Sequence, residues 1–154
     1  AFKGETEVHA GMEAVSAVIE NVELFDDWDE DIIEIRLLEH QPGKLIRYYV
    51  VYDVPWPFQD RDLCVEAVFS SDNTNGIRQL KSKSIPNAVP EDEDIVRIEN
   101  YWQCWTLSEN KDSIVHITVE GFADPAGDIP AWIANMAITE SPLNMLENLK
   151  KALQ

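Results

Sequence analysis

Basic residues are scarce in this sequence. Its 154 residues include 12 lysines and arginines against 29 aspartates and glutamates, which gives a formal net charge of −17 at pH 7. Affinity for nucleic acid comes largely from lysine and arginine contacts to phosphate, so the composition argues against a nucleic-acid partner. The same charge opposes tight docking on anionic membranes. It is compatible with plain solubility and with a cationic partner.

Long apolar runs are also missing. No stretch approaches the roughly 18 apolar residues that a membrane-spanning helix needs, so we predict no stable membrane insertion. No signal peptide is visible. The chain begins at Ala1, almost inside the first predicted strand, which leaves room for an upstream segment that has been removed. We expect a cytoplasmic protein, or an exported one if such a segment existed.

Cysteine and histidine are too few and too scattered for the common metal sites. Cys64 and Cys104 lie in predicted strands that are separated by another strand, so we expect no disulfide. His9, His40 and His116 form no cluster with cysteine, so no zinc site is predicted. Neither a G-x-S-x-G elbow nor a glycine-rich phosphate loop is present. We therefore predict no cofactor, no metal and no catalytic residue.

Alternating hydrophobicity dominates what is present. Hydrophobic residues make up 45% of the chain, enough for a single domain spanning residues 1–154 with its own core. Period-two alternation and turn signals such as Pro42-Gly43 and Asn75-Gly76 delimit the strands. Seven strands are predicted, at 2–10, 32–39, 45–54, 61–69, 77–85, 95–107 and 113–122.

Helical spacing appears in two places. After the first strand it predicts a helix from Met12 to Val22 and a second short helix around Leu24–Trp28. The many acids nearby lack the ligand order of a calcium loop and are interpreted as a solvated surface. Near the C-terminus, apolar residues at three- and four-residue steps predict a long helix from Asp128 to Gln154. Pro142 inside it predicts a kink.

The order of elements defines the fold class. It is α+β, with a curved antiparallel sheet of about seven strands wrapped around the long C-terminal helix and two short helices after the first strand. This is the helix-grip arrangement. A single helix over a curved sheet cannot easily fill the space beneath it, so such interiors either pack large side chains or hold a ligand.

Three stretches make the match more specific. The first is the Pro-Trp-Pro-Phe-Gln-Asp-Arg-Asp segment at Pro55–Asp62. The second combines Val96-Arg97 with Tyr101 and Trp105. The third is Asp124–Trp132, followed by Asn135. Together they resemble START (StAR-related lipid transfer) domains, which share a core with the birch-pollen allergen family.

The chain departs from the family in two respects. START domains usually carry a helix and two further strands ahead of the strand seen here at 2–10, and they more often have glycine where this chain has Ala126. Without those elements, either the precursor is longer or the first strand lies at an unpaired edge of the sheet. The free N–H and C=O groups of such an edge can pair with another strand.

The resemblance implies a cavity between sheet and helix that binds an apolar ligand such as a lipid or sterol. We predict Trp105, Trp132 and Met136 as ligand-binding residues. Tyr101 shares a strand face with Trp105, and His116 could orient a polar head group. For the first three the alternative is ordinary core packing. For His116 it is a surface position or a neighbouring partner.

The charged residues of the motifs receive a structural interpretation. We expect Arg61 and Asp62, with Trp56 in the preceding turn, to form an arginine–carboxylate arrangement that fixes the proline turn at the strand start. Arg97, in a later strand, is interpreted in the same way.

Three functional hypotheses follow. The first is a non-enzymatic domain that binds and carries a lipid, with transient membrane contact. The second is an enzyme of the same fold, such as an aromatic polyketide cyclase, with His116 as acid or base. The third is an acidic interaction module without a ligand, which requires a solidly packed interior. The sequence fixes neither the ligand nor the oligomeric state.

Overall fold

The structure is a computed structural model that describes residues 1–127, 129–131 and 144–153. The described elements follow the predicted order of strand, short helices, strands and C-terminal helix. They are β1 (Phe2–Val8), α1 (Met12–Glu20), a 3₁₀ turn (Val22–Leu24), α2 (Phe25–Trp28), β2 (Ile32–Gln41), β3 (Leu45–Tyr52), β4 (Arg61–Asp72), β5 (Ile77–Ser84), β6 (Val96–Arg97), β7 (Tyr101–Glu109), β8 (Val115–Ala123) and α3, which is helical over 144–152. The predicted helix start at Asp128, the kink at Pro142 and the candidates Trp132 and Met136 lie outside the described residues.

The strands form one sheet in the order β1-β8-β7-β5-β4-β3-β2, and every neighbouring pair on this path is antiparallel. The predicted turns are confirmed, because Gly43 (φ 71°) and Gly76 (φ 64°) take the left-handed conformation that glycine adopts at little cost. The helix-grip architecture is therefore confirmed. In the described part of the chain, β1 and β2 are the two ends of the strand order.

One strand prediction was wrong. The stretch 95–107 is not continuous: β6 is a two-residue strand that pairs in parallel with the start of β4, and β7 begins only at Tyr101. The reason is a change of partner. β5 pairs with β4 only from Val65 onward, so the first residues of β4 need another neighbour. Ile98 N–H donates to Asp62 O at 2.9 Å before the chain turns into β7.

Both ends of the chain pack on the inner face of the sheet. In α3, Leu146 and Leu149 are buried, as their helical spacing predicted. Gly4 of β1 lies directly beneath this helix, and a Cβ placed on it would be 2.8 Å from Leu146 Cδ1. Glycine therefore lets the helix approach the sheet closely. From α1, Val15 and Ile19 enter the same core.

β3 is covered on both faces, as its continuous apolar sequence predicted. Tyr48 and Val50 face the main core, while Tyr49 and Val51 face a smaller cluster under the 85–95 loop. The strand is not central, however, because only β2 lies beyond it.

The two cysteines are free thiols, and β5 lies between their strands as predicted. Within the described ranges, none of the helices combines the length and apolar character that crossing a bilayer requires.

Candidate functional site

A cavity of about 270 Å³ lies against the inner face of the sheet. For scale, an engineered cavity of about 150 Å³ lined by apolar side chains binds benzene. Most of the described lining is apolar, and β3, β4 and β7 contribute the most strand residues to it. Representative lining residues are Ile19, Ile35, Ile46, Val50, Leu63 and Leu80.

A connected group of polar side chains interrupts this apolar lining. The Tyr101 hydroxyl donates to Gln103 Oε1 at 3.1 Å, and the Trp105 indole Nε1–H donates to the same oxygen at 3.3 Å. Tyr48 also lines the cavity, and its phenol and that of Tyr101 are close enough to shift each other's pKa. Strand alternation places Tyr101, Gln103 and Trp105 on one face of β7, and all three line the cavity. The group therefore presents a continuous polar strip to the interior.

The tyrosines of this cavity are held in the neutral form. Burial raises the pKa of Tyr48, Tyr52 and Tyr101 well above the usual value of a phenol. Desolvation is the main cause, because removing a phenolate from water is unfavourable. The neighbouring phenol of Tyr48 and the carboxylate of Asp29 raise the pKa of Tyr52 further. At neutral pH these groups act as hydroxyl donors and acceptors without charge.

Loops close one end of the cavity, which we call the loop end. It consists of Asp29, Asp31, the segment Asp53–Pro55, Pro125 and Ile129. Three carboxylates at this end make it acidic. An anionic ligand head would meet unfavourable charge here.

Arg61 borders the loop end but is occupied by the protein itself. Its Nε donates to Pro125 O at 2.7 Å, its Nη2 to Ala126 O at 2.8 Å and its Nη1 to Gln59 O. The predicted arginine–carboxylate pairing of Arg61 was wrong, because its hydrogen-bond partners are backbone carbonyls. Arg61 thus fixes the segment that leads from β8 toward the C-terminal helix.

The carboxylate of Asp62 pairs instead with Arg97. Arg97 Nε donates to Oδ1 at 2.7 Å and Nη2 to Oδ2 at 3.0 Å, and Tyr49 OH donates to Oδ2 at 2.8 Å. Arg97 also donates to the carbonyls of Pro86, Val89 and Pro90. This buried cluster lies on the outer face of the sheet and ties the 85–95 loop down. The bidentate geometry fits a structural role.

Trp56 does not pack into the turn as its motif suggested. Its side chain is 91% exposed, next to Pro55 of the loop end. A large apolar ring this exposed is unusual for a purely structural residue.

His116 faces away from the cavity. Its side chain is 44% exposed and lies 3.6 Å from Glu7 and 3.8 Å from Glu5. It is not among the described lining residues. The reason is strand alternation, because the buried neighbours Val115 and Ile117 take the inward positions of β8. The expected contact with a ligand head group is therefore not available to His116.

Of the predicted ligand-binding residues that are described, Trp105 and Tyr101 lie in the cavity wall. Sequence reasoning missed Gln103, although it alternates with both on β7. It also missed Ser82, which pairs with Gln103 across β5 and β7. Met145, one residue from the predicted helix face, lines the cavity as well.

Known proteins resemble this chain along most of its length. An uncharacterised protein of Pseudomonas aeruginosa is 30% identical over 156 residues, covering 100% of this chain and 75% of that protein. The phosphatidylcholine transfer protein of Bos taurus is 26% identical over 132 residues, covering 82% of this chain and 60% of that protein. No protein-family model matches the chain.

The comparison of structures decides the family. A STAR-related lipid transfer protein fragment from Xanthomonas axonopodis superposes with a TM-score of 0.86 at 27% identity, covering 98% of this chain and 84% of that one. The chain belongs to the START family. This START chain spans about 60% of the length of the phosphatidylcholine transfer protein. The predicted resemblance is thereby confirmed.

Proposed function

We propose that this START chain binds one apolar or amphipathic lipid in the cavity and carries it between membranes. The observation that carries the proposal is the cavity of about 270 Å³ with its largely apolar lining. Burying apolar ligand surface contributes roughly 25 cal/mol per Å², which supports binding without covalent chemistry. The cavity favours this proposal over a ligand-free interaction module, because that hypothesis requires a solid interior.

Membrane contact would occur at the loop end. Trp56 projects into solvent beside Pro55, which lines the cavity. Tryptophan is enriched at membrane–water interfaces because its ring is apolar with one polar N–H. The surrounding carboxylates and the net charge of −17 would favour neutral or zwitterionic surfaces over anionic ones.

Binding is tested by filling the cavity. Ala67 is buried, lines the cavity and pairs across the strands with Ser82. We expect Ala67→Phe to fold, since its ring has room, and to lose at least tenfold in affinity for a pyrene-labelled alkyl chain. Circular dichroism and urea unfolding establish that the variant is folded. Unchanged affinity in a folded variant would contradict binding in this cavity.

Transfer is tested at the loop end. We expect Trp56→Ala to slow transfer of a pyrene-labelled lipid between zwitterionic vesicles several-fold, with unchanged binding in solution. The control is Leu38→Ala, an exposed apolar residue near the β2–β3 turn at the other end of these strands. With anionic vesicles, salt should accelerate transfer because it screens repulsion. Equal transfer by Trp56→Ala and the wild type would refute docking through this loop.

A further inference from the structure

The orientation of the Gln103 amide can be assigned from its partners. Indole N–H is a donor only, so the atom that meets Trp105 Nε1 at 3.3 Å must be the amide oxygen. Tyr101 OH also donates to that oxygen. Gln103 Nε2 therefore points away from both, and its partner is Met145 Sδ at 3.9 Å. A thioether is a weak acceptor, and an amide nitrogen carries two hydrogens. Gln103 thus keeps donor capacity.

Ser82 supplies a second polar group beside it. Ser82 is opposite Gln103 in the β5–β7 register, and both side chains line the cavity. The Ser82 side chain is 7% exposed, and its hydroxyl has no hydrogen-bond partner among the described residues, unlike Ser84, whose hydroxyl donates to Glu99 O at 2.7 Å. Among the described residues no fully buried side-chain oxygen or nitrogen lacks a partner, so this hydroxyl is open to the cavity, where a ligand or a water can bond to it.

The charges around the cavity restrict what this pair can hold. Arg61 is the one lysine or arginine in the described lining, and each of its three nitrogens donates to a backbone carbonyl. The loop end carries three carboxylates, Asp29, Asp31 and Asp53. These four charged residues sum to −2, one positive against three negative, so the described lining disfavours a carboxylate or phosphate on the ligand.

We propose that Ser82 and Gln103 are specificity-determining residues that anchor one uncharged oxygen of the ligand, a hydroxyl or a carbonyl. The amide donates to this oxygen, and the serine hydroxyl donates to it or accepts from it. The ligand class is then a lipid whose buried polar group is neutral. This inference rests on the proposed function, because it concerns the same cavity.

The test uses four pyrene-labelled chains of equal length that end in a methyl group, a primary alcohol, a methyl ester or a carboxylate. Wild-type protein should bind the alcohol or the ester about tenfold more tightly than the hydrocarbon, the value of one hydrogen bond. The carboxylate should bind more weakly than either. Ser82→Ala and Gln103→Met should each remove most of the preference for the alcohol or the ester over the hydrocarbon.

Two control variants make the same chemical changes elsewhere. Ser84→Ala alters the same strand outside the cavity, and Gln79→Met removes an amide that donates to Thr106 Oγ1 rather than facing the cavity. Both should keep the wild-type preference. Ser82→Ala removes one oxygen only, so it keeps the test usable if Gln103→Met folds poorly.

The outcomes separate the two proposals. Equal binding of hydrocarbon, alcohol and ester by the wild type would overturn the anchor and leave lipid binding intact. A preference that survives in Ser82→Ala and Gln103→Met would overturn the choice of residues. A carboxylate that binds as tightly as the alcohol would overturn the neutral ligand class. Failure of all four probes to bind would overturn the proposed function together with this inference.

Discussion

Each face of the sheet carries a cluster of polar side chains. The two clusters differ in how many of their donors and acceptors have a hydrogen-bond partner within the protein. On the outer face, Asp62 accepts from Arg97 and Tyr49, and Arg97 further donates to three carbonyls. On the inner face, Ser82 has no partner among the described residues and Gln103 Nε2 meets only a thioether. Saturated groups hold a fold together, whereas unused hydrogen-bonding capacity beside a cavity favours a ligand.

The largest expected effect comes from breaking the saturated cluster. Arg97→Met leaves the Asp62 carboxylate buried without its counter-charge, so the free energy of unfolding should fall by about 3–5 kcal/mol. Urea denaturation measures it.

The matched control is Arg47→Met. Arg47 also pairs with two carboxylates, Glu39 and Glu66, but its side chain is 42% exposed. Its loss should cost much less stability than the loss of Arg97, because water screens an exposed ion pair. If the two variants lose similar amounts of stability, burial and full hydrogen bonding do not make the pair of Arg97 with Asp62 stronger than the exposed pairs of Arg47.

Arg61 tests whether the role of a residue is decided by the hydrogen bonds it already makes within the protein or by its position beside the cavity. It borders the cavity, yet each of its three nitrogens donates to a backbone carbonyl. Arg61→Met should therefore lower the free energy of unfolding by about 2–3 kcal/mol, as loss of charged hydrogen bonds does. The affinity of the folded protein for the uncharged probes should change little. Unchanged stability with lost affinity would instead make Arg61 a ligand-binding residue.

Denaturation at alkaline pH tests the tyrosines on both faces of the sheet in one experiment. The pKa values of all four tyrosines are raised, that of Tyr49 on the outer face to about 12. Burial is the main cause, and hydrogen bonding to Asp62 adds to it for Tyr49. Because the unfolded chain loses these protons near pH 10, the stabilisation is complete below that pH and declines as pH rises toward the folded pKa values.

The expected slope is up to about 1.4 kcal/mol per pH unit for each tyrosine. The free energy of unfolding, followed by denaturation at a series of alkaline pH values, should fall above about pH 10. Tyr48→Phe should reduce the slope through the inner face and Tyr49→Phe through the outer face. Slopes identical to that of the wild type would contradict the raised pKa values.

The smallest effect should have the opposite sign. Ser82→Ala removes a hydroxyl that is open to the cavity and has no partner among the described residues, so stability should stay constant or rise slightly. Ser84→Ala, which breaks the bond to Glu99 O, should cost about 1 kcal/mol. Thermal and urea unfolding of the two variants give the comparison. A clear loss of stability in Ser82→Ala would show that the inner group is structural.

The sequence predicts elements well where periodicity is strong and contacts are local. The alternation of β1, the turn at Asn75-Gly76 and the buried face of Leu146 and Leu149 all follow from spacing. The break after β6 does not, because it depends on β4 lacking a partner before Val65, which is a property of the assembled sheet.

Side-chain partners were harder to predict than strands. Arg61 and Asp62 are adjacent in sequence and point to opposite faces, so they bind different partners, Asp62 finding Arg97 across 35 residues. His116 shows the same limitation, since its direction depends on the register of β8. Gln103 could have been chosen from alternation with Tyr101 and Trp105, but its spare donor depends on the Trp105 indole position.

The central claim is that the cavity holds a lipid-like ligand. Native mass spectrometry of the freshly purified chain, followed by organic extraction, tests it most directly, with Ala67→Phe as the filled-cavity control. We predict a stoichiometric extra mass that extracts as a neutral lipid and is missing from the variant. A clean apo mass, together with no uptake of an apolar pyrene probe, would contradict the account.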